Sequence, residues 1–159
     1  EGDNTQNPEQ IFRMADKIAE GFDVAVASRF RRGARVVGVP AYRRAISLGG
    51  ALLMKVLFPN KGVSDYTSGF RAYRTAILAA AFERYGDRLL EGREFSCASE
   101  LILKLGSVGA IIAEIPIVLR YDRKGSRSKM RIGRNIAWTL AMLLGLRLAL
   151  WRAGRSPRR

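Results

Sequence analysis

Apolar residues recur at helical spacing at Ile11, Met14, Ala15 and Ile18, which predicts an amphipathic helix that ends at Gly21. Its start is written in Asn7-Pro8-Glu9-Gln10: Asn7 suits the N-cap, Pro8 the first helical position and Gln10 the third. Asp23-Val24-Ala25-Val26-Ala27-Ser28 follows, a short apolar run of the kind that forms a buried parallel strand. A second helix is predicted over 42–57, apolar on most sides through Leu48-Gly49-Gly50-Ala51-Leu52-Leu53-Met54, so it is either buried or faces an apolar partner. Further helices are predicted over 74–84 and 94–105, the second with Phe95, Ala98, Leu101 and Ile102 on its inner face. Residues 110–119 read as a strand, and Glu114 and Pro116 inside it favour a sheet edge. Helix, strand and loop in alternation predict an α/β domain, and 159 residues suffice for one domain with a core.

The polar stretches between these elements hold the candidate chemistry. Residues 29–39 form a basic loop punctuated by glycine: Arg29, Arg31, Arg32, Gly33, Arg35, Gly38. Ser64-Asp65-Tyr66-Thr67-Ser68-Gly69-Phe70-Arg71-Ala72-Tyr73 gathers a carboxylate, hydroxyls, a glycine, aromatics and an arginine into ten residues. Loops on a scaffold collect binding residues, and Gly69 would let backbone approach a ligand. The same residues also read as a helix entry, with Asp65, Thr67 or Ser68 capping a helix that starts near Arg71. A third loop, 121–130, carries Arg123, Gly125, Ser126, Ser128 and Lys129.

Charge sharpens the picture at the C-terminal end. The net charge is +14, and residues 120–159 hold twelve Lys and Arg against the single Asp122. Such an arm can face nucleic acid, anionic lipid or a phosphorylated ligand. The uncharged run 135–146 is too short to cross a membrane, which takes roughly 20 residues. With Trp138, Trp151, many leucines and flanking arginines, residues 131–159 read as a basic amphipathic helix and tail in the membrane interface. The alternative is a helix packed on the domain and ending in a solvated basic tail. A nucleic-acid module fits less well, because the aromatics do not interleave with the basic residues as a stacking platform requires. The one cysteine, Cys97, forms no internal disulfide and fits a reducing compartment. With no histidine in the chain, His-based triads and most zinc sites are excluded. The chain opens on Glu and reads as part of something longer.

Five separated motifs then fall in one order: Glu1-x-Asp3, the Ser28-Arg29 strand end, Asp65-Tyr-Thr-Ser-Gly-Phe-Arg71, Glu114-Ile-Pro116 and Arg123-Lys-Gly-Ser-Arg-Ser-Lys129. Together they resemble the dolichol-phosphate mannosyltransferase group of family 2 glycosyltransferases. The resemblance implies a GT-A fold, Rossmann-like and incomplete at its N-terminus, of which residues 1–130 are the C-terminal part. It implies that Glu1 and Asp3 stand for the group's Asp-x-Asp pair, which binds Mg²⁺ or Mn²⁺ with the sugar nucleotide. Residues two apart on an extended strand point the same way, so two carboxylates can share one hard cation. Thr5 takes the polar position two residues on. Asp3, Asp65 and Arg29 are the implied catalytic set, with Arg29, Arg43 and Ser47 toward the acceptor phosphate. Arg123, Ser128 and Lys129 are expected to close over the diphosphate or acceptor phosphate. For Asp65 a second reading stands beside the first: an ion pair with a neighbouring arginine. Glu100 lies in a segment that resembles a helix of the group with a Glu beside the acceptor region; it also reads as an ordinary exposed helix carboxylate, and as such it is left out of the site.

The reaction the resemblance implies is inverting transfer of mannose or glucose from a nucleotide sugar to a dolichyl or undecaprenyl phosphate, at the cytoplasmic face of a membrane by a peripherally bound protein. Its partners are the donor, the lipid acceptor and the membrane surface, with no nucleic acid. The phosphate nucleophile is already anionic, so a site without histidine needs no strong base.

Overall fold

The computed structural model describes residues 5–58, 62–92 and 96–123, with Ala141 and Gly145. Strand β1 (Val24–Ser28) is buried at all five positions, as its unbroken run of Val and Ala requires. Among the described residues it is the middle strand of three. On one side β3 (Arg71–Tyr73) pairs antiparallel, with Val24 opposite Tyr73. On the other, β4 (Ile112–Pro116) pairs parallel, from Val24 opposite Ile112 to Ser28 opposite Pro116. Among the described residues β4 lies at the sheet edge, where Glu114 and Pro116 had placed it.

At Ile117 the chain leaves one sheet for another. Its N–H donates to Ser28 O at 3.0 Å, and its C=O accepts from Arg35 N at 2.9 Å. A two-stranded parallel sheet follows, of β2 (Arg35–Val37) and β5 (Val118–Arg120).

Side chains of β1 alternate between two apolar layers. Ala25 and Ala27 pack with Met14, Ile115 and Ile117 beneath α1 (Gln10–Ala19). Val24 and Val26 face a larger cluster built by α2 (Ala41–Leu57), α3 (Thr75–Tyr85) and α4 (Ser96–Ser107), which contribute Met54, Ala81, Ile102, Leu103 and Leu105. Helices on both faces of a mixed sheet make the α/β architecture expected.

Several boundaries differ from the sequence reading. α1 begins at Gln10, later than the Asn7 cap implied; Asn7 Oδ1 accepts Glu9 N at 3.1 Å in the turn before it. Gln10 does not reach back to that cap, and its Nε2 donates to Pro116 O at 2.9 Å. No helix starts near Arg71, because residues 71–73 add to the sheet and α3 begins at Thr75. In α2 the described side chains show Met54 buried and Tyr42, Ile46, Leu48, Leu52, Leu53 and Val56 exposed, so this helix is not enclosed. The C-terminal helix and tail expected over 131–159 lie outside the described residues, Ala141 and Gly145 excepted.

Candidate active site

In open α/β sheets ligands bind beyond the carboxyl ends of parallel strands. Here β1 and β4 run parallel and end together at Ser28 and Pro116, and the next residue after β1 is Arg29. The loop that carries the 64–73 motif arrives at the same place. Asp65 lies there fully buried, and its carboxylate is saturated with donors. Oδ2 accepts Arg29 Nε at 2.8 Å and Arg29 N at 3.0 Å; Oδ1 accepts Arg29 Nη2 at 2.7 Å, Ser68 N at 3.0 Å and Thr67 N at 3.2 Å. Arg29 Nη2 also donates to Thr67 Oγ1 at 2.5 Å. Burial works to raise the Asp65 pKa, but the Arg29 side-chain hydrogen bonds, the guanidinium charge and the Arg29 and Thr67 N–H groups outweigh it, so the carboxyl lies below its usual value. The side chain of Asp65 is 0% exposed and that of Arg29 is 25% exposed. The ion-pair reading of Asp65 is therefore what the fold adopts.

The rest of the motif ties this corner to the core. Tyr66 is buried, its hydroxyl donating to Phe58 O at 2.7 Å. Ser68 Oγ donates to Ala27 O at 2.7 Å, and Arg71 reaches Tyr66 O at 2.7 Å and also Ala98 O. Ser99 Oγ donates to Tyr66 O at 3.0 Å. Glu114 on β4 accepts both Ser64 N, at 2.6 Å, and Asp65 N, at 2.7 Å, through one oxygen. Gly62 has a φ of +86°, and a Cβ there would sit 2.5 Å from Ile112 O, so only glycine lets the loop lie this close to β4. Gly69, in contrast, has open space where a Cβ would go, and nothing among the described residues demands glycine there.

A second cluster forms where α2 meets the end of β5. The half-buried residues Arg43, Ser47 and Ala51 and the buried Met54 fall at three- and four-residue spacing, so the expected phosphate ligands Arg43 and Ser47 share the inward stripe of α2. Arg43 Nη1 donates to Tyr121 Oη at 3.1 Å and Nε to Tyr42 Oη at 3.2 Å. Tyr121 opens the single 3₁₀ turn Tyr121–Arg123, so Arg43 stands beside the start of the basic loop. Gly38 makes this possible: its φ is +78°, and a Cβ would lie 2.6 Å from Asp122 N. Thr5 is buried, its C=O accepting Arg120 N at 2.8 Å.

No family model matches the chain. It is 27% identical over 133 residues to an undecaprenyl-phosphate mannosyltransferase of Micrococcus luteus, covering 84% of this chain and 52% of that protein. It is 28% identical over 136 residues to a polyprenol monophosphomannose synthase of Mycolicibacterium smegmatis, covering 86% and 49%. A dolichol-phosphate mannosyltransferase of Pyrococcus furiosus is 33% identical over 72 residues, covering 45% and 20%. The chain is related to the dolichol-phosphate mannosyltransferase group. It spans about half the length of the first two relatives.

Of the residues the resemblance to that mannosyltransferase group had singled out, the fold joins Arg29 to Asp65 and sets Arg43 and Ser47 on one helix face. Arg123 ends the turn that Tyr121 begins. Glu1, Asp3, Ser128 and Lys129 lie outside the described residues. Asp65 does not fit a metal as it stands, since both its oxygens already accept hydrogen bonds, and no three-residue metal cluster occurs among the described residues. Glu100 is a correction: it is buried and paired with Lys104, where an exposed carboxylate was expected. Two residues escaped sequence reasoning, Tyr121 and the anchoring role of Glu114. The signal for Glu114 was a carboxylate in an otherwise apolar strand.

Proposed function

We propose that the protein of which this chain is a part transfers mannose from a nucleotide sugar to a polyprenyl phosphate, with the fold read as the C-terminal portion of a GT-A domain. The observation that carries this reading is the similarity to three proteins named for that acceptor class, joined to Arg29 held partly open at the ends of two parallel strands. In the proposed reaction an acceptor phosphate oxygen attacks the anomeric carbon, the bond from that carbon to the nucleotide diphosphate breaks, and the configuration inverts. The acceptor is already an anion, so the work left to the protein is to hold two phosphates and balance their charge.

Arg43 and Ser47 are the proposed acceptor-phosphate ligands, joined by Arg29, which presents its partly open guanidinium at the strand ends. Arginine's planar fork suits phosphate oxygens. Arg123, Ser128 and Lys129 are proposed to close over the phosphates, Thr5 to lie at the donor side, and Glu1 with Asp3 to hold Mg²⁺ or Mn²⁺. That ion would neutralise the departing diphosphate. Asp65 acts through Arg29 and is assigned no base or ligand role.

The proposed location is the cytoplasmic membrane surface. No described helix is long and apolar enough to cross a membrane. α2 supports surface attachment: Leu52 (63% exposed) and Val56 (70% exposed) lie on an outward apolar face, the helix has no acidic residue, and Arg44 and Lys55 flank that face.

The test uses the full-length protein with polyprenyl phosphate, Mg²⁺ and labelled GDP-mannose or UDP-glucose. Label entering the lipid fraction from GDP-mannose, and lost in Asp3→Ala, supports the reading. No transfer from either donor, with salt-sensitive binding to DNA or RNA in its place, overturns it.

A further inference from the structure

Glu114 stands on β4 opposite Val26, at a position where a strand against the core ordinarily carries an aliphatic side chain. A buried carboxylate there costs free energy unless donors meet it. Two do, and both are backbone: Ser64 N at 2.6 Å and Asp65 N at 2.7 Å, converging on Oε1. Oε2 is buried and has no partner among the described residues. Ser64 and Asp65 belong to no helix or strand, so no ladder sets their height over the sheet. The residue that Glu114 grips by its backbone is the one whose side chain grips Arg29.

We propose that Glu114 is a positioning residue of the candidate site. By fixing the Asp65 backbone it fixes the Asp65 carboxylate, and through it the direction in which Arg29 presents its guanidinium. What Arg29 binds rests on the transferase reading; the positioning itself does not. Because both N–H groups meet at a single oxygen, an amide oxygen serves as well as a carboxylate. A proton-transfer or metal-binding role would instead demand the charge. Glutamine therefore separates the alternatives.

The experiment compares Glu114→Gln, Glu114→Ala and Glu114→Asp in the full-length protein. Two readouts are taken: the Arg29 Nε–Hε NMR resonance, assigned by its loss in Arg29→Lys, and the acceptor KM and kcat. In wild type the resonance is hydrogen-bonded and protected from exchange. In Glu114→Ala it moves to the position of a free arginine, and the acceptor KM rises roughly tenfold or more, with the smaller effect on kcat. Glu114→Gln recovers the resonance and most of the KM. If the alanine variant does not fold, Glu114→Asp decides, since it keeps the charge and withdraws the carboxylate by one methylene. An unmoved Arg29 resonance in the shortened variants, or a glutamine variant as damaged as alanine, overturns the proposal. If even wild type transfers no sugar, the transferase reading fails while the resonance still decides the positioning.

Discussion

Two acidic side chains are buried beside a basic partner in this fold, and they differ in how far that partner is enclosed. Glu100 and Lys104 lie one turn apart on α4, 2.6 Å from each other, each side chain 4% exposed. Glu100 Oε2 also accepts Glu91 N at 3.0 Å and Gly92 N at 2.7 Å, while Lys104 donates to Arg88 O and sits 5.3 Å over the Tyr85 ring. Every group in that cluster is spent on closing residues 85–92 against α4. Asp65 spends its carboxylate in the same way, on backbone N–H groups and one cation, but its cation is left a quarter open at the end of two parallel strands. A buried carboxylate alone therefore does not mark a site. What separates the two clusters is the exposure of the cation, 4% for Lys104 and 25% for Arg29.

The comparison breaks most visibly under Lys104→Met. That change strands a buried anion and costs about 3–5 kcal/mol of stability, read from urea unfolding. Adding Glu100→Gln recovers part of it, because the amide oxygen still accepts the two N–H groups. Arg29→Lys is expected to give the converse pattern. Stability falls by about 1 kcal/mol, since the cation is partly solvated, whereas sugar transfer by the full-length protein falls roughly 100-fold with the loss of the two-pronged geometry. Equal losses in both assays would erase the distinction drawn between the clusters.

A weaker effect is read from the pH dependence at Asp65. The Asp65 carboxyl titrates below its usual value when folded, so the folded state binds fewer protons there than the unfolded chain. Its contribution is complete above the unfolded value of about 3.9 and is lost as pH falls through the lower folded value. The gap in urea midpoint between wild type and Asp65→Asn should hold from pH 7 down to about 4 and narrow below it. The smallest effect is Gly69→Ala, expected within about 0.5 kcal/mol because a Cβ meets open space, whereas Gly62→Ala forces the loop off β4 and destabilises measurably.

Much of the architecture was written locally. The Val-Ala run of β1, the helical spacing of α1 and the Glu and Pro of β4 each dictate their element from within a few residues. The sites were legible only as composition, because their partners come from far along the chain: Arg29 meets Asp65 across 36 positions and Glu114 meets Ser64 across 50. Residues 71–73 show why local rules failed there. The sequence offers capping residues and a helix, yet β1 has an open edge, and ladder hydrogen bonds to it win. Glu100 misled for a similar reason, since a carboxylate on a helix looks solvated until the loop it closes is known. Arg43 and Ser47 were placed by resemblance, and their common face then followed from helical geometry alone.

Ile117 lies between the two sheets, giving its N–H to the end of β1 and its C=O to the start of β2. It pins the two together. Ala34 and Leu119, from the small sheet's side, pack against the same apolar layer as Met14, Ala25, Ala27 and Ile115, so backbone and core hold the two sheets together. Arg29 is anchored on the large sheet's side of the pin, while Arg43 reaches Tyr121 beyond β5 on the other. The spacing of the two arginines is thus set by a joint in the backbone and by the core packed around it.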